Sequence, residues 1–234
     1  MIVRQLWKYP VASLGGQAIE RIEAYEDGVI GDRDLFLVDL ATGEVAAPEK
    51  QPRWRPALQL WAYWQGSVAV VAASNWQLSI DNPDLDDAIS AHFGFHCGVR
   101  AAGTVLVAGE RKVEVKSRYA VSPLHLIALD EVNALQAALP NSNSDIRRFR
   151  PNIVLEGEWP VAQTSGANFS IGAITAAVTE PTKRCGMTMI AQPGLGEDPE
   201  ILRTIVRTRS RCLGVYATVI GAGTVSVGDR LLTN

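Results

Sequence analysis

The sequence has little of most things that announce a function. Only three cysteines, Cys97, Cys185 and Cys212, occur in 234 residues, too few and too scattered for a disulfide framework. They also fall short of the four ligands that an iron–sulfur cluster needs. Neither sign of charge dominates. The net charge of −3 gives no field for nucleic acid or an anionic membrane, so any anion site has to be a local basic cluster. Long apolar runs are missing too: the longest, residues 68–73, suits a buried strand and is far short of a membrane span. The opening Met1-Ile2-Val3-Arg4 lacks the basic and then apolar order of a signal peptide. A reducing cytoplasm is the expected compartment, with no nucleic acid and no membrane as partner.

What is present is a chain that can bury a core. Apolar residues make up 47%, enough for one large domain or two small ones. Strands are expected at residues 2–9, ended by Pro10, at 18–25 and at 35–40, each bounded by Gly, Pro or Asp. Trp54, Trp61, Trp64 and Trp76 surround two further apolar runs and read as core or groove lining. The acidic stretch Asp81-Asn82-Pro83-Asp84-Leu85-Asp86-Asp87 lacks the Gly and Glu of a calcium loop and reads instead as the start of a helix over 88–93. His92, His96 and Cys97 have nominal zinc spacing, but Gly94 ends the helix between the two histidines and no fourth ligand is near. A boundary is expected at residues 98–103, dividing the chain into 1–97 and 98–234. Beyond it, Asp130 is the expected N-cap of a helix carrying Val132, Leu135 and Leu139, stopped by Pro140. Asp198-Pro199-Glu200 opens another, with Leu202, Ile205 and Val206 inward. His125 alternates with apolar neighbours in a strand and reads as structural.

The stretch with chemical character is Lys183-Arg184-Cys185-Gly186-Met187-Thr188-Met189-Ile190. Two cations before a cysteine favour the thiolate, which is either a nucleophile or a soft-metal ligand; a strand-like run follows it. The bland alternative is a small buried hydrophobe. A second basic segment, Asp145-Ile146-Arg147-Arg148-Phe149-Arg150-Pro151-Asn152, offers forked donors suited to an oxyanion, or else a solvated turn.

These segments carry a resemblance. Arg148-Phe149-Arg150-Pro151-Asn152-Ile153-Val154-Leu155-Glu156-Gly157, then Ile171-Gly172, Arg184-Cys185 and Gly223-Thr224-Val225-Ser226-Val227-Gly228-Asp229 together resemble the MOSC domain. That family includes the C-terminal domain of molybdenum-cofactor sulfurases and the amidoxime-reducing proteins. Tyr9-Pro10-Val11-Ala12-Ser13 and Asp32-Arg33 are similar to the β-barrel domain that often precedes it. The resemblance implies a mainly β (α+β) fold, with a MOSC-type β-barrel core, a few helices and a smaller N-terminal β-rich domain. It implies the molybdenum cofactor (molybdopterin), with Cys185 as metal ligand and catalytic residue. Arg184 supports that thiolate, Arg150 and Asn152 meet the cofactor's polar edge, and Ser13, Arg33, Ser122 and Tyr216 are lesser carry-overs. The implied activity is reduction of N-hydroxylated or N-oxygenated small molecules, with electrons from a separate ferredoxin-like or flavin reductase partner. Two alternatives stand beside it: a sulfur carrier using a Cys185 persulfide, and a binding module without cofactor.

The chain departs from the family pattern at two places. Ala12 stands where the family usually has Lys, which removes a charge-assisted contact of about 1.5 to 3 kcal/mol unless Arg147, Arg148 or Lys183 substitutes. After Gly157 the usual acidic pair and Trp are replaced by a run beginning Glu158-Trp159-Pro160.

Overall fold

The computed structural model describes residues 1–108, 111–117, 124–157 and 165–233; Ser122, Glu158 and Trp159 lie outside them. The protein is mainly β, as the sequence implies. Its largest unit is an eight-stranded sheet in the order Leu231–Thr233, Asn168–Ile171, Ile174–Lys183, Cys212–Gly221, Leu124–Ala128, Ile153–Glu156, Ile2–Lys8, Gln17–Ile19. Leu124–Ala128 and Ile153–Glu156 run parallel. A parallel pair needs a crossover, and the helix α1, Leu129–Ala138, lies within it. The other pairs in this sheet are antiparallel.

The sheet curls. Ile2 bridges to Arg230, Val3 N donates to Asp229 O and Gly228 N donates to Val3 O. Inside it, alternate residues such as Val3, Leu6, Leu126, Ile153, Leu155, Ala176, Val178, Val215 and Ala217 form one apolar core, as period-two side-chain alternation requires. The strand pairing crosses the 97/98 division: Ile2–Lys8 lies beside Ile153–Glu156, and Arg21–Tyr25 pairs with Gly223–Ser226.

Residues 35–101 build a second core around Trp54. The indole is fully buried, and the rings of Phe93 and Phe95 meet it edge-on at 5.4 and 4.8 Å. Around it stand Leu35–Asp39 with Cys97–Ala101 and Val11–Ala12, the meander Trp61–Gln65, Val68–Ala72, Gln77–Ser79, and a helix Leu85–Phe93 that Gly94 ends in the left-handed conformation. His92 turns its Nε2 to Pro56 O at 3.1 Å, and Cys97 lies in this core.

Several expectations are corrected in detail. The run after Cys185 is a 3-10 turn, Gly186–Met189, rather than a strand. Thr188 donates to Cys185 O through both its amide at 3.2 Å and its hydroxyl at 3.0 Å, and this local closure outcompetes extension. Helix α1 begins before Asp130, with Ala128 at the N-cap. The expected strand over 18–25 is two strands in different sheets, divided at Glu20. Helix α2, Pro199–Arg209, is capped by Asp198 but buries Ile201, Thr204 and Ile205, while Val206 is half exposed. Both stripes are apolar enough to face a core. Packing against Leu213 and Leu135 selects the one on Ile201.

Candidate functional site

The site lies at one end of the barrel, where residues 9–14 and 32–33 meet the turns at 149–152 and 184–188. Cys185 stands two residues beyond the strand Ile174–Lys183, as N-cap of the 3-10 turn, and is partly exposed. The turn backs directly onto the N-terminal unit: a Cβ at Gly186 would stand 3.2 Å from Glu49 O. The thiol is therefore held at a junction, and is neither buried in hydrocarbon nor loose on a surface.

Arg184 points the other way, into the barrel end. Its Nε donates to Leu213 O at 2.9 Å and its Nη1 to Phe149 O at 2.9 Å. Nη2 donates to Leu213 O and meets His125 Nε2 at 2.6 Å. Only 6% of this residue is exposed. Burial pulls its pKa down to about 10, with the charges of Tyr216 and Cys185 acting in the opposite sense. Arg184 thus places a fixed charge one residue before Cys185, and its guanidinium is held by the protein itself.

Arg150 occupies a left-handed turn at φ +53°. Its carbonyl is a hub: Arg33 Nη2 and His125 Nδ1 each reach it at 3.1 Å. Its guanidinium donates to Leu14 O and stacks over the Tyr9 ring at 4.3 Å. Arg33, also left-handed at φ +60°, pairs with Asp32 and covers the same ring at 4.9 Å. Asp32 in turn accepts from Tyr9 N at 2.6 Å. Tyr9 is therefore buried beside two guanidinium groups, and its hydroxyl has no partner among the described residues. Burial drives the phenol pKa up, against the lowering effect of Arg150 and Arg33.

The other expected residues fall as follows. Ser13 is buried, left-handed at φ +73°, with Oγ 3.5 Å from Ala46 O. Asn152 is fully buried: Oδ1 accepts from His125 N at 3.3 Å and Nδ2 donates to Trp7 O at 3.4 Å, which ties two strands together. Tyr216 pairs with His125 across the sheet, the rings 5.4 Å apart. Ser122 lies outside the described residues. The structure thus brings Arg33, Arg150, Arg184 and Tyr216 into one neighbourhood with His125 and Tyr9.

The three-arginine oxyanion cluster does not form. Arg147 pairs with Asp145 through two bonds of 2.9 and 2.8 Å. Arg148 is buried in a nest of carbonyls, with Asn143 O and Gly196 O at 2.8 Å. Neither can replace the family's missing Lys, and Lys183 is on the exposed side of its strand. At that position Ala12 packs among Phe36, Val38, Val45 and Val115, an apolar pocket that would strip a Lys of its hydration.

Sequence reasoning missed the parts that His125, Tyr9 and Asp32 play. Tyr9 and Asp32 stood inside quoted motifs. His125 gave no signal, because a histidine in an alternating strand looks like any core residue until its partners from 59 and 25 residues away are known.

Comparison with known proteins agrees with this architecture. The family model for the MOSC domain matches residues 115–232. A molybdenum cofactor sulfurase from Drosophila ananassae is 33% identical over 113 residues, which are 46% of this chain and 14% of that protein; the match thus spans a small part of the relative's length. The YuaD protein from Bacillus subtilis superposes with a TM-score of 0.53 at 11% identity, over 98% of this chain and 93% of that one, a likeness of fold. YiiM from Geobacillus stearothermophilus gives a TM-score of 0.40 at 16% identity over 57% of this chain and 71% of that one. No helix here is long and apolar enough to cross a membrane. With half of its length matched by the family model, the chain belongs to the MOSC domain family.

Proposed function

We propose that this protein binds the molybdenum cofactor at the barrel end and uses it to reduce N-hydroxylated or N-oxygenated small molecules. The observation that carries this reading is convergence: Arg33, Arg150 and Arg184, far apart in sequence, belong to one hydrogen-bonded neighbourhood built on His125 and the Arg150 carbonyl, and Cys185 directly follows Arg184. The donor set fits the group. A partly exposed thiol is the soft ligand that such a metal takes. Arg150 and Arg33 set two guanidinium charges there, which favour a phosphate or a polar ring edge, and the buried Tyr9 hydroxyl beside them lacks a partner among the described residues. Bound there, the cofactor supplies the two-electron redox chemistry that removes oxygen from an N–O bond. Cys185 would hold the metal, Arg184 keeps the local potential positive, and the 3-10 turn that follows the thiol is backed by Glu49. Electrons come from a separate ferredoxin-like or flavin-containing donor, since three cysteines cannot hold a cluster in this chain.

The test is metal analysis of protein expressed in a host that makes the cofactor. Wild type carries close to one molybdenum per chain. Cys185→Ser carries none, while its unfolding free energy stays within about 0.5 kcal/mol of wild type expressed without the cofactor. Wild type without molybdenum or pterin removes the proposal.

A second reading has its own support. Cys212 begins the strand paired with the one that leads to Cys185, and it faces Lys183 in the ladder. Both thiols are partly exposed, which suits a sulfur carrier with a persulfide on Cys185. Intact mass measurement decides between the two readings: a labile additional sulfur on Cys185, lost on mild reduction, favours the carrier.

A further inference from the structure

Of the three histidines, His125 is the one at the site, and the geometry fixes its chemical state. Its Nδ1 lies 3.1 Å from Arg150 O. A carbonyl only accepts, so Nδ1 carries the hydrogen. Its Nε2 lies 2.6 Å from Arg184 Nη2, and a guanidinium only donates, so Nε2 carries the lone pair. The ring is thus one neutral tautomer, held at both ends. Every charged neighbour reinforces that state: Arg184 at the end of its strand and Arg33 and Arg150 from the two turns are all cations, and Tyr216 lies across the ladder. With burial leading, they hold the imidazole well below its usual pKa of 6.5. Room for the arrangement comes from Gly214, left-handed at φ +76°. A Cβ there would stand 3.2 Å from His125 Nε2 and 3.3 Å from Arg184 Nη2.

We infer that His125 is a positioning residue that joins the two cationic arms of the site: its Nδ1–H fixes the peptide from which Arg150 extends, and its Nε2 fixes the guanidinium of Arg184, the residue that precedes Cys185. Among the described residues the arms have one other direct tie, from Arg184 Nη1 to Phe149 O, the carbonyl just before Arg150, at 2.9 Å. Arg33 shares the Arg150 carbonyl and Leu213 O shares the Arg184 fork, but neither reaches the other side. The left-handed turn at Arg150 is a conformation that an L residue leaves readily unless its peptide is held from outside. Removing the imidazole therefore loosens the anion-facing arm and the thiol-facing arm together, through two separable bonds. The anion half of this inference rests on the cofactor reading above; the thiol half does not.

The two bonds can be cut one at a time. Asn at 125 keeps a donor near the place of Nδ1, and Gln keeps an acceptor near the place of Nε2. The 234-residue protein, expressed in a host that does not make the cofactor, and its His125→Asn, His125→Gln and His125→Phe variants are compared by two measurements: calorimetric binding of inorganic pyrophosphate, and the pH profile of Cys185 alkylation by iodoacetamide followed on the Cys185 peptide. His125→Asn keeps pyrophosphate affinity within about twofold and moves the alkylation profile; His125→Gln does the reverse. His125→Phe loses about tenfold or more in affinity and also moves the profile, the scale typical of removing a residue that orients a ligand-binding group. Nitrogen-15 spectra of wild type show His125 with Nδ1 protonated and Nε2 bare from pH 8 to pH 5. If the Asn and Gln variants behave alike in both measurements, or a folded His125→Phe keeps both wild-type properties, the inference falls. If wild type does not bind pyrophosphate, the cofactor reading falls, and the alkylation profiles alone decide the role of His125.

Discussion

The Trp54 core and the barrel end are both buried, yet they are held by different physics. Around Trp54 the contacts are apolar and nearly directionless: an indole among Phe93, Phe95, Leu35, Leu37 and Ile89. At the barrel end the contacts are directional, running from Leu213 O through Arg184, His125 and the Arg150 carbonyl to Arg33, Asp32 and Tyr9 N. Two of the residues in that chain, Arg33 and Arg150, sit in left-handed backbone. A protein that needed only stability would gain more from hydrocarbon, since buried charges barely repay their desolvation. The polar chain is therefore better understood as a means of fixing where a few groups point.

The contrast predicts that damage to the first region costs stability and damage to the second costs chemistry. The largest effect is expected for Trp54→Ala, which opens a cavity and lowers the unfolding free energy by about 3–5 kcal/mol. It should leave the alkylation rate of Cys185 unchanged in the molecules that remain folded. Chemical denaturation and peptide-level alkylation measure the two quantities side by side, and a change in both would blur the distinction.

Next comes Arg184→Lys. The ammonium keeps the charge but cannot reach Leu213 O, Phe149 O and His125 together, so buried acceptors go unpaired at about 1–3 kcal/mol. Here stability falls less than for Trp54→Ala, while the Cys185 alkylation profile shifts; a profile identical to wild type would place the thiol outside the influence of Arg184.

The smallest effect is a dependence on pH. His125 stays neutral in the folded protein and takes up a proton in the unfolded chain below its usual value of 6.5. Its contribution to stability is therefore full above that value and is lost as pH falls below it, at up to about 1.4 kcal/mol per pH unit. Denaturation curves from pH 7.5 to pH 5.5 should decline for wild type and be flatter for His125→Phe.

How much of this was legible in the sequence depended on whether the signal was local. Gly94 as a helix end, Asp198-Pro199 as a helix start and the alternating strands of the barrel were readable because each follows from neighbours in the chain. Arg147 and Arg148 misled because composition shows charge and not its partners: Asp145, two residues earlier, takes one, and carbonyls from 143 and 196 take the other. The face of α2 was ambiguous because Leu202 and Val206 are as apolar as Ile201. His125 was readable only as a core residue, since its meaning comes from Arg184 and the Arg150 peptide. The site's members could be named from the resemblance, but the wiring between them could not.

The place of the first strand has a consequence for how the molecule comes into being. Ile2–Lys8 is made well before Ile153–Glu156 and residue 230, yet it lies against the one and bridges to the other, so beyond its local partner Gln17–Ile19 that flank has to wait until those later residues have been made. Contacts between distant parts of a chain are slow to form. A clone restricted to the MOSC-matched residues 115–232 would leave the flank of Ile153–Glu156 open, an invitation to intermolecular pairing, and would be expected to precipitate where the full polypeptide stays dispersed.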